Sequence, residues 1–244
     1  MSLFTPSGGL VYHARALRFS RGLWAPFRDA LAAWLVQHLP VTDELILVGP
    51  SGGHCLPLAH LSRFGRIVVL EPDPLARRML ACRLPRSRLE IEHRDLLVQP
   101  LLAGGAGLDV VLRQRPHAAV LFCNLLGQVQ LGLSDEAQAK FQAEFRRRIG
   151  SLLAARAWAS FHDRWSLDRG LDQPTPTLRS FPQRPDDDEL GVAWFGAAGA
   201  PVAVLDHGTS QLFPEALSRS YFSWQITPKA LHVVEAVAGL GSPG

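Results

Sequence analysis

The sequence has few cysteines, few lysines and no long uninterrupted apolar run. Cysteine occurs three times, at Cys55, Cys82 and Cys123. An odd number with no Cys-x-x-Cys pair argues against a disulfide framework and against a cysteine-based zinc site, and it points to a reducing compartment. The first apolar stretch, Leu23 to Leu39, is broken by Arg28, Asp29, Gln37 and His38. It is too polar for a membrane span and too far along the chain for a signal peptide. Lysine occurs only at Lys140 and Lys229, so nearly all of the 25 basic side chains are arginine. That bias fits GC-rich coding, and it also fits an arginine surface for phosphate. A net charge of +3 on 244 residues gives little support for a nucleic-acid protein. Charged residues make up 19% and hydrophobic residues 47%, which excludes a highly charged disordered chain. A soluble, cytoplasmic protein without a membrane or nucleic-acid partner is the expectation. Oligomeric state leaves no mark in the sequence.

The apolar residues that are present fall into two periodicities. Residues 1–22 show little pattern and end in Arg15, Arg18 and Arg21. Trp24, Phe27, Leu31, Trp34, Leu35 and Leu39 recur at three- and four-residue spacing, which predicts a helix over 24–39. Leu45-Ile46-Leu47-Val48 is a continuous apolar run of the kind found in strands buried on both faces. Similar runs at 67–70 and 118–123, an alternating one at 89–93 and a fifth at 157–162 predict further strands. Helices are expected at 54–63, 74–84 and from the Ser134 cap to about 155, with a weaker one at 101–113 interrupted by Gly104-Gly105.

Strands that alternate with helices at these lengths predict a doubly wound, mostly parallel α/β sheet. Seven strands are expected, the last two (221–226 and 231–237) forming a terminal antiparallel hairpin. The organisation read from this is an N-terminal helical extension over 1–40, a main domain over 41–238 and a disordered tail over 239–244. An irregular insert over 166–210 interrupts the main domain. It carries four prolines between 174 and 185, and Asp186-Asp187-Asp188-Glu189 reads as a solvated turn. Val192 to Phe195 and Val202 to Leu205 are expected to form a β-hairpin within it. No internal repeat is visible.

Three predicted strand ends carry the chemistry. The first is the turn Gly49-Pro50-Ser51-Gly52-Gly53, the second Glu71-Pro72, and the third Asp95-Leu96. In a doubly wound sheet all three project from the carboxyl edge, where ligands bind. Glycines let the backbone turn sharply and approach a ligand, and the N–H groups of the next helix favour an anionic group. A carboxylate at the second strand end can accept both hydroxyls of a ribose, and a third acid can accept from an adenine amine. A nicotinamide dinucleotide would want Gly-x-Gly-x-x-Gly, and the turn does not fit it, because Ser51 and His54 interrupt the spacing.

The ordered set resembles the class I S-adenosylmethionine-dependent methyltransferases. Gly49, Ser51 and Gly53 align with that family's Gly-x-Gly-x-Gly motif, with Ser51 in the central place and Leu47 where the family usually has an acid. Glu71-Pro72-Asp73-Pro74 resembles the family's second motif, and Arg94-Asp95-Leu96 its adenine-contacting turn. Asn124 ends the fourth strand, where the family often places substrate-facing residues. The resemblance covers roughly 41–165 and 219–238. It implies S-adenosylmethionine as cofactor, S-adenosylhomocysteine as product and methyl transfer without a metal. The methyl acceptor, an O, N or other nucleophile on a small molecule or a protein, is not legible.

Asn124, His162 and His207 are the candidates for lining or catalysing the reaction. Asp163 beside His162, and Tyr12, His13 and Arg15 ahead of the first helix, are candidates for a substrate contact or lid, since an N-terminal segment often covers the cofactor in this family. Each histidine can equally be a surface or capping residue. Cys55, at an expected helix start, reads either as an activated thiol or as a small packing residue. Trp158, Trp165, Trp194 and Trp224 read as packing residues, and Arg146-Arg147-Arg148 as cations at a helix C-terminus. Asn124-Leu125-Leu126-Gly127 faintly resembles a loop of protein arginine methyltransferases, but asparagine stands where that activity needs an acid. Rival readings are a Rossmann-like binding or scaffold module without catalysis, and an aminopropyltransferase-like enzyme.

Overall fold

The computed structural model describes residues 9–168, 178–196 and 204–241. Along the chain it forms α1 (Gly9–Phe19), α2 (Ala25–His38), β1 (Glu44–Val48), α3 (Leu58–Leu61), β2 (Arg66–Leu70), α4 (Pro74–Ala81), β3 (Leu89–Glu92), α5 (Val98–Ala103), α6 (Leu108–Gln114), β4 (Ala119–Cys123) and α7 (Leu126–Leu131). There follow α8 (Asp135–Glu144), a π-helical turn (Phe145–Gly150), α9 (Ser151–Leu153), β5 (Trp158–Leu167), β6 (Arg179–Phe181), α10 (Asp187–Phe195), β7 (Leu205–Asp206), β8 (Arg219–Thr227) and β9 (Ala230–Gly239).

The sheet runs β3-β2-β1-β4-β5-β9-β8-β6, and β7 pairs with the end of β5. The first five strands are parallel, while β9, β8 and β6 continue antiparallel. The chain winds outward from β1 through β2 to β3, then crosses back to β4. The carboxyl ends of β1 and β4 therefore flank the point where the winding reverses, which is where such sheets open a crevice.

Alternation along the strands builds two cores. Leu45, Leu47, Ile67, Val69, Ala119 and Leu121 face a layer holding α1 to α4. Ile46, Val48, Val68, Val120 and Phe122 face α5, α6 and α8. Strands buried on both faces need apolar residues at every position, which is why β1, β2 and β4 are continuous runs. Both helices before β1 pack on the first core, through residues from Tyr12 to Leu39. Trp24 is fully buried, donates from Nε1 to the Ile226 carbonyl at 3.0 Å and meets Trp224 edge-on at 5.1 Å. Phe27 stacks on Trp224 at 4.8 Å.

Several expectations are corrected. The sheet has nine strands among the described residues, because β6 and β7 add to the seven expected. Residues 9–19, read as patternless, are helical and bury His13 and Ala16. The helix expected over 54–63 shrinks to the four residues of α3. Pro57 explains this, since a residue before proline is pushed out of the helical region and proline offers no N–H. The insert's β-hairpin is not formed. Val192 to Phe195 belong to α10, whose cap is Asp186, accepting from the Glu189 N–H at 2.7 Å. The acidic cluster is thus a helix start rather than a free turn, where carboxylates favour the positive end of the dipole. Of the second expected strand, Leu205 pairs with Ser166 of β5, and 202–203 lie outside the described residues. β5 continues five residues beyond His162. Gly239, assigned to the tail, is the last residue of β9 and pairs with Trp158. No described helix is long and apolar enough to cross a membrane.

Candidate functional site

The turn after β1 is a left-handed one. Gly49, Ser51 and Gly53 have φ of 65°, 51° and 68°. Glycine is the residue that takes such values without strain, so the two glycines follow from the geometry. Side-chain room is also lacking. A Cβ on Gly49 would come within 2.7 Å of Leu125, and one on Gly53 within 2.5 Å of Leu80. The Pro50 carbonyl accepts from the Gly53 N–H at 3.0 Å and closes the turn.

Glu71 locks this turn to β2. Its Oε2 accepts from the Ser51 N–H at 2.8 Å and its Oε1 from the Asp73 N–H at 3.0 Å. The side chain is buried. Burial raises its pKa above the ordinary carboxylate value, partly offset by the two N–H donors. Pro72 gives its carbonyl to Arg77 Nη1 at 2.7 Å, and Asp73 caps α4 through the Leu75 N–H at 2.8 Å. His13 of α1 reaches Asp73, with 3.6 Å between Nε2 and Oδ2. The N-terminal helix therefore lies against the turn and the second strand end.

Asp95 is engaged otherwise. Its Oδ1 accepts from the N–H groups of Leu97 (3.0 Å) and Val98 (2.9 Å), and its Oδ2 from Gln99 at 3.1 Å. Both oxygens cap the start of α5. Leu96 gives its carbonyl to the Leu108 N–H at 2.6 Å.

A second polar group sits where β4 and β5 leave the sheet. Asn124 has φ of 51°, and its Oδ1 accepts from the Asp163 N–H at 2.8 Å while its Nδ2 donates to Asp163 Oδ2 at 3.1 Å. Gln128 donates to the same oxygen at 2.5 Å, and His232 Nδ1 lies 3.0 Å from Oδ1. Asp163 is fully buried. Burial alone would raise its pKa, but His232, His207 and the Asn124 amide outweigh it and hold the carboxyl below the usual range. His207 is buried nearby, its Nε2 3.1 Å from Ser166 Oγ and its ring 5.9 Å from His232. Burial lowers its pKa, with His232 adding and Asp163 opposing. Tyr12 reaches into the same region. Burial, Cys55 and Asp163 all push its phenol up.

His162 does not join this group. Consecutive strand residues face opposite ways, and His162 lies beneath the sheet against Phe213, with Nδ1 2.9 Å from Ser160 Oγ. It borders a buried ion cluster in which Glu235 Oε1 lies 2.9 Å from Arg219 Nε and Glu235 Oε2 accepts from the Tyr221 hydroxyl at 2.8 Å. Its place at the cofactor edge is therefore corrected. A bulge after Asp163 then turns Arg164 onto Asp187, at 2.5 Å, and Asp206. Arg15 is half-buried in α1 and makes no hydrogen bond or ion pair among the described residues. Cys55 is a packing residue, its thiol pushed up by burial to about 11. Gln128, His232 and Thr209, whose hydroxyl donates to the Asp163 carbonyl at 3.2 Å, escaped the sequence reading. Of these, Gln128 carried a usable signal, lying one helical turn after Asn124. Among the described residues no group of three or more His, Cys, Asp or Glu is arranged to hold a metal ion.

No family model matches the chain. No curated protein matches it. Solved structures similar to it include the N-methyltransferase NodS from Bradyrhizobium japonicum in complex with S-adenosylhomocysteine. That structure is 12% identical, with 94% of this chain and 96% of that one covered and a TM-score of 0.49. A SAM-dependent methyltransferase from Anabaena variabilis is 13% identical, with 96% and 98% covered and a TM-score of 0.45. The DhpI complex with S-adenosylhomocysteine is 15% identical, with 96% and 95% covered and a TM-score of 0.43.

Proposed function

We propose that the chain binds S-adenosylmethionine at the turn after β1 and transfers its methyl group to an O, N or other nucleophile, without a metal. The acceptor would be a small molecule or a protein side chain. One observation carries the reading. The left-handed Gly49–Gly53 turn is tied by a backbone N–H to a buried carboxylate, Glu71, beside the point where the winding reverses.

The donor set fits the cofactor. Each carboxylate oxygen can accept two hydrogen bonds, and each oxygen of Glu71 is given one by the backbone. The remaining capacity suits a pair of vicinal hydroxyls such as a ribose presents. Gly49, Pro50, Ser51, Gly52 and Gly53 would form the backbone cradle, with Pro72 and Leu96 as its flanking walls. When bound, S-adenosylmethionine supplies a methyl made electrophilic by its sulfonium. The protein's share is to place the nucleophile and exclude water. Asn124 and Asp163, locked together, would give a fixed wall near the reacting centre. Tyr12 and His13 of α1 would close over it. His207, kept neutral by burial, is the group suited to accept a proton.

One observation favours a second reading, a binding module without catalysis. Asp95 gives three of its four acceptor places to capping α5. Calorimetry with S-adenosylmethionine and S-adenosylhomocysteine tests both. Saturable heat with either supports the first reading, and no heat at millimolar ligand in a folded sample removes it.

A further inference from the structure

Behind the glycine turn lies a cavity of about 620 Å³, lined by Leu17, Ser20, Arg21, Arg28, His54 and Arg83. Three of its six lining residues are arginines from three segments: the turn after α1, the first turn of α2 and the turn after α4. Among the described residues none of these arginines pairs with a carboxylate, whereas Arg66, Arg94, Arg113, Arg115 and Arg148 each do.

The two half-buried guanidiniums are anchored at one nitrogen each. Arg28 Nη1 donates to the Ser20 carbonyl at 2.9 Å and lies 3.5 Å from the His54 carbonyl. Arg83 Nη1 lies 2.7 Å from His54 Nδ1 and 3.5 Å from the Gly52 carbonyl. A guanidinium has five N–H groups in a planar fork, so Nε and Nη2 of both side chains remain without a partner among the described residues. Arg21 is exposed at the rim and makes no hydrogen bond or ion pair there. His54 carries no compensating charge. Burial and Arg83 lower its pKa to about 4, so the ring is neutral at pH 7. Accepting from Arg83 at Nδ1 leaves the proton on Nε2, which is buried and has no partner among the described residues. Three positive charges and an idle N–H donor thus border one concave space with no counter-charge among its described lining residues.

We propose that this cavity binds a small, multiply charged oxyanion, a phosphate ester or a polycarboxylate, gripped by Arg28 and Arg83 with Arg21 at the rim. Guanidinium forks match the oxygens of both groups bidentately. A half-open hollow of this volume accommodates a small molecule. The site is separate from the proposed cofactor cradle and does not rest on it, although the two share the backbone from Gly52 to His54.

The test is calorimetry on the full chain with three probes: pyrophosphate, citrate and, as a monoanion control, acetate. Saturable one-to-one binding of pyrophosphate or citrate, with none of acetate, is expected. The tighter of the two assigns the phosphate or the carboxylate source. Arg28→Gln and Arg83→Gln should each weaken that binding about tenfold, the loss of one charged hydrogen-bonding group. Arg83 packs against the turn, so Arg21→Gln, at an exposed position, serves as the second variant, with a smaller loss expected. Absence of saturable binding by either polyanion at millimolar concentration overturns the proposal. So does affinity unchanged in the folded Arg21→Gln and Arg28→Gln proteins. Titration of S-adenosylhomocysteine into the same samples keeps failure of this site distinct from failure of the cofactor reading.

Discussion

Asp163→Asn is the most informative single perturbation of the molecule, because a buried anion there has three named partners. Oδ2 accepts from Asn124 Nδ2 at 3.1 Å and Gln128 Nε2 at 2.5 Å, and Oδ1 lies 3.0 Å from His232 Nδ1. Asparagine keeps the shape and one acceptor oxygen but removes the charge, and its amide turns N–H groups toward at least one donor. Hydrogen bonds to a charged group contribute about 1.5–3 kcal/mol each, against about 1 for neutral ones. Leaving one donor unpaired costs about 1–3 kcal/mol more. The sum exceeds what one variant usually shows, because the neighbours relax, so a loss of about 2–4 kcal/mol is expected.

Urea unfolding followed by circular dichroism reads this loss at pH 7. The pH dependence then separates charge from shape. The folded carboxyl of Asp163 is held below its unfolded value, so its contribution is present above the unfolded pKa, about 3.9, and is lost as pH falls through the folded one. The difference between wild type and Asp163→Asn should therefore hold steady from pH 7 to 5 and shrink below about 4. A variant within about 0.5 kcal/mol of wild type at pH 7 would refute the account of Asp163 as a paired buried anion. A deficit that stayed constant into acid would attribute the loss to shape alone.

Four further outcomes are expected. Glu71→Ala should weaken S-adenosylhomocysteine binding by about 1–3 kcal/mol in calorimetry, and unchanged affinity in a folded variant would take Glu71 out of the site. Because burial raises the folded pKa of Glu71, the fold binds its proton where the unfolded chain has released it. Stability should therefore decline as pH rises through that window, and Glu71→Gln should remove this part of the slope. Gly53→Ala places a Cβ at φ of 68° and 2.5 Å from Leu80, so a loss of about 1–3 kcal/mol should appear as a lowered Tm, and an unshifted Tm would contradict the turn geometry. Trp24→Ala should destabilise the whole protein by about 3–5 kcal/mol in urea. A loss below about 1 kcal/mol would mean that the first helices are an appendage rather than part of the core.

The parallel half of the sheet was legible because burial on both faces leaves an unbroken apolar run, as at Leu45–Val48 and Ala119–Cys123. β5 was legible only to His162. His162, Asp163 and Arg164 look like an exit from the core, yet all three are buried beside polar residues distant in sequence, Glu235, His232 and Asp206. Local pattern cannot show a partner some 70 residues away. α10 failed for the opposite reason. Val192-Ala193-Trp194-Phe195 is apolar enough to pass for a strand, while the deciding signal, an Asp186 cap followed by three acids, lay six residues earlier.

Glu71 and Asp95 gave the same signal in the sequence, an acid just past an apolar strand, and the structure divides them. Glu71 is followed by proline, so the chain turns back on the carboxylate and offers only two backbone donors, from Ser51 and Asp73. The helix cap that follows is supplied by a different residue, Asp73, which leaves half of the Glu71 acceptor capacity uncommitted. After Asp95 no second acid is available to cap α5, and three N–H groups converge on its two oxygens. Ligand capacity at a strand end is thus decided by what the next four residues demand of the acid. By that criterion the ribose-type contact at Glu71 is the stronger half of the cofactor reading. An adenine amine at the third strand end would have only the one acceptor place on Oδ2 that α5 leaves open.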